Sequence, residues 1–130
     1  MPNRAQDWLL QAERDLEQAE DSRKSGRHEW ACFAAQQAAE KAVKALHHFW
    51  GQDPWGHVVA VLLDDLDSDI PEGLINKAKE LDGYYIPPRY PNSHAAGPPF
   101  HHFSELQSDR AIAYAREIIH FARAQMAQAG

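Results

Sequence analysis

Apolar positions recur at spacings of three and four residues along most of the chain, and no segment shows the alternation typical of strands. The longest block without Gly or Pro in the first two thirds, residues 27–50, contains the stretch from Glu29 to Trp50. On a helical wheel, half of this block is apolar and includes Ala34, Ala35, Ala38, Ala42 and Ala45. Small side chains let neighbouring helices approach closely. The pattern therefore predicts a central packing helix.

The opposite arc of this helix is polar and holds Gln36, Gln37, Glu40, Lys41, Lys44, His47 and His48. Glu40 precedes Lys44 by four residues, in the orientation that stabilises an exposed helix by about 0.2–0.5 kcal/mol. We expect this arc to face water.

Four further helices are predicted from the same spacing. Asn3 is a plausible N-cap of the first helix, and Ser25-Gly26 ends it before a short turn into the central helix. The first and central helices should thus form an antiparallel hairpin. Ser104 and Gln107 could form a capping box on the last helix, with Ser108 as the alternative cap. The predicted ranges are Asn3–Lys24, His57–Leu66, Glu72–Tyr84 and Ser104–Met126.

A proline-rich segment separates the last two helices. Five of the eight prolines lie between Ile86 and Pro99, which excludes a long helix or a central strand there. The segment also carries Tyr84, Tyr85, Tyr90 and Phe100, too many aromatic side chains for a simple flexible linker. The predicted fold is all-α, an up-and-down bundle of about five helices with an ordered Pro-rich loop before the last helix.

Composition indicates one domain over residues 1–130, with 44% hydrophobic and 25% charged residues. No apolar run approaches the roughly 18 residues of a membrane span. The N-terminus lacks the apolar stretch of a signal peptide, so we expect a cytoplasmic location. The single cysteine, Cys32, is expected to be a core or interface residue.

Charge limits the kinds of partner. The net charge of −6 argues against binding nucleic acid by bulk electrostatics, so any such contact must be local. The residues from Tyr84 to His102 include Arg89, three histidines and no acid. This region could hold an anion.

Several short motifs follow one another along nearly the whole chain: Asp7-Trp8, ACFAAQQAAEKAVKAL from Ala31 to Leu46, Gly56-His57, Leu81-Asp82, and YIPPRYP from Tyr85 to Pro91. In order and spacing they resemble HEPN domains (higher eukaryotes and prokaryotes nucleotide-binding). The resemblance implies a helical bundle that commonly dimerises. It also implies frequent production beside a minimal nucleotidyltransferase, as a toxin-antitoxin pair.

Many HEPN proteins are metal-independent ribonucleases that use an Arg and a His four to six residues apart. Here Arg89 and His94 have four residues between them, with Pro91 among these. A guanidinium suits a phosphate because it donates two parallel hydrogen bonds, and an imidazole transfers protons near neutral pH. Two alternatives stay open: anion binding without catalysis, and a structural role in which Arg89 anchors the loop and His94 lies at the surface.

Aromatic and polar residues near this pair are candidates for ligand contact: Tyr85, Tyr90, Asn92 and His57. Tyr84, Phe100 and Phe103 could also stack on bases, although closure of the core beneath the loop is the simpler role for the aromatic side chains. His57 follows Gly56 and could instead be a residue that hydrogen-bonds locally at a helix start.

No metal site or other cofactor is expected. The histidine pairs His47-His48 and His101-His102 point in different directions on a helix, and no HExxH, Cys/His cluster or phosphate-binding glycine pattern occurs. Three functions remain: an RNA-cleaving toxin-like protein, a non-catalytic nucleotide- or partner-binding subunit for a separate nucleotidyltransferase, and a structural oligomerisation module. We also expect a homodimer, since Trp30, Trp50 and Trp55 add apolar surface to a small bundle.

Overall fold

A computed structural model describes residues 3–129, with the side chain of Ala129 left aside. Its described part contains five α-helices and no strand, as the spacing of apolar residues predicts. Two short 3-10 turns, at Pro91–Ser93 and Pro99–His102, interrupt the proline-rich loop. The helices are α1 (Ala5–Lys24), α2 (His28–Phe49), α3 (Val59–Asp64), α4 (Glu72–Asp82) and α5 (Glu105–Ala129).

The helix ends follow the local signals of the sequence. The Asn3 side chain accepts a hydrogen bond from the Ala5 backbone N–H at 2.8 Å, at the start of α1. Gly26, with φ of 79°, turns the chain between α1 and α2. Ser104 and Gln107 form the predicted capping box, since Gln107 Oε1 accepts from the Ser104 N–H and Ser104 Oγ accepts from the Gln107 N–H.

Helix α2 is the centre of the bundle and packs against the other four helices. Its alanines Ala35, Ala38, Ala42 and Ala45 have no exposed surface, and the Cys32 side chain is equally buried. Ile112, Ala115, Ile118, Ile119 and Ala122 form the buried stripe of α5. The predicted role of α2 is confirmed.

The prediction that the polar arc of α2 faces water is wrong for four of its seven residues. Gln36, Glu40, Lys44 and His47 are buried. Each has a partner that offsets the cost of burial: His47, for example, lies 2.7 Å from Gln52 Oε1 and 2.8 Å from the Leu62 carbonyl oxygen. The segment that follows α2 folds back over this arc and covers it. Glu40 and Lys44 are thus a buried pair and not a solvated one.

Ion pairs show how the long helices run. Glu13 pairs with Arg123 and Glu20 with Arg116, so α1 and α5 are antiparallel. Helices α4 and α5 are likewise antiparallel and carry two pairs, Lys77 with Glu117 at 2.8 Å and Glu80 with Arg110 at 2.6 Å. This arrangement leaves the loop between α4 and α5 to cross one end of the bundle, near the start of α2.

No helix in the described range is long and apolar enough to cross a membrane.

Candidate functional site

The guanidinium of Arg89 lies among three aromatic rings. Its Cζ atom is 4.4 Å from the centre of the Phe33 ring, 4.7 Å from that of Tyr85 and 5.2 Å from that of Tyr90. Its Nε donates a hydrogen bond to the Tyr85 carbonyl oxygen at 2.8 Å. We call these four residues the Arg89 cage. Cation–π contacts of this kind hold a guanidinium in place without cancelling its charge.

The local sequence produces the cage through a proline turn. Pro87 and Pro88 restrict the backbone, and the Arg89 N–H bonds to the Ile86 carbonyl oxygen at 3.0 Å. Pro88 is fully buried and anchors the turn on the bundle. The turn brings Arg89 back over Tyr85, while Phe33 is supplied by α2. Within residues 3–129, no carboxylate lies within ion-pair distance of Arg89.

His57 lies against the same tyrosine. Its ring stacks on that of Tyr85, with 4.6 Å between centres and 17° between planes. Its Nδ1 is 3.1 and 3.2 Å from the two carboxylate oxygens of Glu40. Because an ionised carboxylate only accepts hydrogen bonds, Nδ1 carries the proton and the lone pair of the neutral ring lies on Nε2.

Glu40 belongs to a buried polar cluster on α2. Its side chain is 6% exposed and that of Lys44 is 11% exposed, with Lys44 Nζ 3.2 Å from the carboxylate. Gln36 Nε2 donates to Glu40 at 3.2 Å and to the His57 carbonyl oxygen at 3.3 Å. The carboxylate that orients His57 is therefore itself fixed by two other side chains.

Asp82 holds the residues that follow His57. Its carboxylate accepts hydrogen bonds from the Val59 N–H at 2.6 Å and the Ala60 N–H at 3.1 Å, at the start of α3. Burial raises the pKa of Asp82 above its ordinary value, although both N–H groups act in the opposite direction. A carboxylate from the end of α4 thus caps α3 and fixes the backbone beside His57.

His94 has a different environment. Its Nε2 donates to the Pro87 carbonyl oxygen at 2.8 Å, and its ring stacks on His102 with 4.2 Å between centres. The Phe103 ring meets it edge-on at 6.1 Å. His102 Nε2 in turn bonds to the Ala96 carbonyl oxygen at 2.6 Å. These contacts join the two ends of the proline-rich loop.

The structure brings together four of the six predicted site residues: His57, Tyr85, Arg89 and Tyr90. Tyr90 is 47% exposed at the rim of the cage. Asn92 lies exposed in the first 3-10 turn. In the described part of the chain, neither Asn92 nor His94 has a hydrogen bond or ring contact with that group of four. Tyr84 and Phe103 instead close the core, as one alternative predicted.

Sequence reasoning missed two residues of this site. Phe33 is not predicted, because an aromatic residue on a helix beside Cys32 has no feature that marks it as a partner of Arg89. Glu40 was assigned to an exposed face. The signal that could have found Glu40 is its place on the polar arc of α2, which the Gly56-His57 turn must pass as the chain folds back.

Several grooves lie outside the cage on the described surface, among them one beside α2 and one beside α5. One, of about 410 Å³, runs between α1 and α2 and is bordered by Arg27, Trp30, Phe33 and Lys41. It touches the Arg89 cage through Phe33. The other, of about 740 Å³, lies between α4 and α5 and is lined by none of the predicted site residues.

Comparison with known proteins places the chain in a family. Residues 5–125 match the HEPN domain. The crystal structure of TT1696 from Thermus thermophilus is 50% identical, with a TM-score of 0.92 over 94% of this chain and 98% of that one. The structure of ST0689, described as an archaeal HEPN homologue, is 38% identical, with a TM-score of 0.83 over 97% of this chain and 99% of the other.

A HEPN domain protein of Thermotoga maritima, tm0613, is 35% identical, with a TM-score of 0.76 over 93% of this chain and 98% of that one. No significant match is found among curated proteins. The family match spans nearly all of the residues that the structure describes. The three solved structures are similar to this chain in both sequence and fold. The resemblance noted from the motifs is thus confirmed, and the chain belongs to the HEPN domain family.

Proposed function

We propose that this HEPN protein binds the phosphate of RNA or of a nucleotide at Arg89 and cleaves RNA there without a metal ion. The observation that carries the proposal is the Arg89 cage: a guanidinium fixed among three rings, with no carboxylate partner within residues 3–129. An oriented guanidinium can donate paired hydrogen bonds to phosphate oxygens. The surrounding loop residues add no acid that would repel the anion.

The rings of the cage give this site a preference for nucleotides over simple anions. Tyr90 is 47% exposed beside Arg89, and an exposed ring next to a phosphate-binding group can stack on a base. Such stacking contributes roughly 1–3 kcal/mol per base and depends little on sequence. We therefore expect single-stranded RNA to bind more tightly than inorganic phosphate.

For RNA cleavage, the 2′-hydroxyl attacks the adjacent phosphorus and the bond to the 5′-oxygen breaks. Arg89 would stabilise the charge that develops on the phosphate oxygens, and a histidine would accept the proton of the 2′-hydroxyl. His94 is the histidine that the family resemblance proposes for this step. Non-catalytic binding of a nucleotide or a partner remains the second candidate, because the same cage would serve it.

Family membership also supports two proposals about assembly. One is a homodimer, and the other is a pairing with a separately encoded minimal nucleotidyltransferase of the toxin-antitoxin kind. Co-purification of the two proteins after joint expression would test the pairing.

The binding proposal is tested by fluorescence anisotropy in the presence of EDTA with a labelled single-stranded 2′-O-methyl RNA, which lacks the 2′-hydroxyl needed for cleavage. Arg89→Ala should weaken binding by about tenfold or more, since hydrogen bonds to charged groups contribute about 1.5–3 kcal/mol. Arg89→Lys should restore only part of the affinity because an ammonium lacks the paired donors. Tyr90→Leu should also weaken binding.

Arg14→Ala is the matched control, since it removes the same charge from an exposed position on α1. If Arg89→Ala binds RNA no more weakly than Arg14→Ala, the site is not an RNA site and the loop has a structural role.

A further inference from the structure

The position of His57 beside the Arg89 cage raises the question of which histidine accepts the proton. His57 and His94 are the two candidates for the base, and their surroundings differ. Nε2 of His94 is engaged by the Pro87 carbonyl oxygen, and its ring is covered by His102 on one face. His57 is 53% exposed, and its Nε2 has no hydrogen-bond partner among residues 3–129.

The geometry points to Glu40 and His57 as the proton-transfer pair of the Arg89 site, with His57 as the catalytic base and Glu40 as its positioning residue. This inference rests on the proposed function and deepens it. His94 then holds the loop closed and does not take part in the chemistry.

The first support is the tautomer. Glu40 accepts the Nδ1 proton of His57, so the basic lone pair of the neutral ring points away from the carboxylate, on the exposed nitrogen. When Nε2 takes up a proton, the buried carboxylate stabilises the imidazolium that forms. A buried carboxylate behind a histidine is the arrangement that orients and supports a general base.

The second support is proximity. The centre of the His57 ring lies 4.6 Å from the centre of the Tyr85 ring, and Arg89 Cζ lies 4.7 Å from the same centre. Both groups thus contact the same tyrosine ring. No comparable contact joins His94 to the cage within the described residues.

The third support is rigidity. Glu40 is held by Gln36 and Lys44, and Gln36 also holds the His57 backbone through its carbonyl oxygen. Asp82 fixes the two residues after Val58. A base held on both sides in this way loses little entropy when a substrate arrives.

The 2′-hydroxyl proton moves to Nε2 of His57 as its oxygen forms a bond to phosphorus. The bond from phosphorus to the 5′-oxygen breaks, and the leaving oxygen takes a proton from water. The products are a 2′,3′-cyclic phosphate and a 5′-hydroxyl. Arg89 stabilises the charge on the non-bridging oxygens throughout.

The test compares two substitutions that each preserve the hydrogen bond of the histidine they replace. In His57→Asn, the side-chain amide nitrogen can occupy the place of Nδ1 and still donate to Glu40. In His94→Gln, the amide nitrogen can occupy the place of Nε2 and still donate to Pro87. Neither replacement can accept a proton near neutral pH, so each removes base chemistry with the least change in structure. His120→Ala, at an exposed position on α5, is the control.

Cleavage of a labelled RNA is measured in EDTA under single-turnover conditions, and binding of the 2′-O-methyl RNA is followed by anisotropy for each variant. His57→Asn should lower the rate by about 10²-fold or more and leave RNA affinity within about twofold of wild type. His94→Gln should reduce the rate far less, and His120→Ala should match wild type.

The pH profile gives a second readout. The groups around His57 that carry charge or titrate are Glu40, Lys44, Asp82, Tyr85 and Arg89. Cleavage by wild type should rise with pH as the base loses its proton, and the rise should disappear in His57→Asn. Glu40→Gln should lower the rate of cleavage and leave RNA affinity unchanged, because a neutral amide does not stabilise the imidazolium that forms during proton transfer.

Each of the remaining outcomes overturns a different claim. If His94→Gln abolishes cleavage while His57→Asn retains it, the assignment of the base is wrong and the ribonuclease proposal stands. If wild type binds RNA without cutting it, the assignment falls and only binding at Arg89 remains. If wild type does not bind RNA, the proposed function itself fails, and the assignment with it.

Discussion

Cys32 shows how strongly position changes the chemistry of one residue. Its side chain is fully buried in α2, and burial, with a smaller effect of Glu80, raises the pKa of the thiol to about 12. Since the thiolate is the reactive form, the native thiol is inert at neutral pH. The sequence prediction of a core residue agrees with this burial.

The prediction at this scale concerns thiol labelling. At pH 8, native protein should react with an aromatic disulfide reagent far more slowly than protein unfolded in guanidinium, because both access and ionisation are restricted. Absorbance of the released thiolate measures the rate. Equal rates in the two states would contradict the burial of Cys32.

The same pKa predicts a dependence of stability on alkaline pH. An unfolded cysteine ionises near 9.0, whereas the folded thiol keeps its proton to about 12. The folded state therefore binds the extra proton in this window, and stability that is complete below pH 9 falls as pH rises towards 12. Cys32→Ala should weaken this fall, as urea denaturation at pH 8 and 10 would show.

Helix α2 separates what its residue pattern specifies from what it does not. The apolar half is predicted correctly, because a continuous apolar face at helical spacing packs against the core in a helical bundle. The polar half is predicted to face solvent from its polarity alone, and a helical wheel contains no information on the long-range partners that bury it. Glu40 pairs within α2 with Lys44, but it also contacts His57, seventeen residues away, and the local pattern does not predict that contact.

Missing information on long-range contacts also limits the prediction of the candidate site. Arg89, Tyr85 and Tyr90 are close in sequence, so their proximity could be expected from a short proline turn. Phe33 and Glu40 reach the site from α2 only because the bundle places the start and middle of that helix beside the loop. Residues that come together only through tertiary packing show no local sequence pattern from which their contact could be predicted.

Ala38 gives a prediction for the packing of α2. It has no exposed surface, so Ala38→Leu should overpack the seam and lower the free energy of unfolding by about 1–3 kcal/mol. Ala113→Leu, at an exposed position on α5, should change it little. Urea denaturation measures both, and equal midpoints for the two variants would show that the seam tolerates larger side chains.

Asp82 gives a prediction for α3. This helix has only six residues and receives its cap from the end of α4. Asp82→Ala should destabilise the fold by about 0.5–2 kcal/mol, since two N–H groups lose their acceptor. Asp82→Asn keeps one acceptor oxygen and should cost less. Thermal unfolding should give the highest midpoint for wild type, a lower one for Asp82→Asn and the lowest for Asp82→Ala. An unchanged midpoint in Asp82→Ala would argue against the cap.

At the scale of the whole molecule, apolar surface remains uncovered on one side of α3. Trp55 is 84% exposed, and Val58 and Val61 are each about half exposed. Trp30 is also exposed, whereas Trp50 packs against the core and does not belong to this surface, contrary to the expectation for all three tryptophans. Exposed aromatic and aliphatic side chains in one segment are typical of a contact surface.

We therefore predict a homodimer that uses this surface. Light scattering at micromolar concentration should give twice the 14.7 kDa mass of the chain. Val61→Glu should shift the protein towards the monomer, because it places a charge in the apolar contact. Leu10→Glu, on the exposed face of α1, serves as its control. A monomeric wild type would remove the prediction.

The contacts of His94 and His102 within the proline-rich loop have a consequence for the rate of association with RNA. The loop that carries Arg89 is already closed by its own hydrogen bonds and by five prolines, so a ligand need not wait for it to order. Nearly all of the protein is then in the conformation that binds RNA. The affinity is therefore not reduced by a need to populate a rare conformation first. Association should accordingly follow a single exponential whose rate rises linearly with RNA concentration, limited by encounter and orientation.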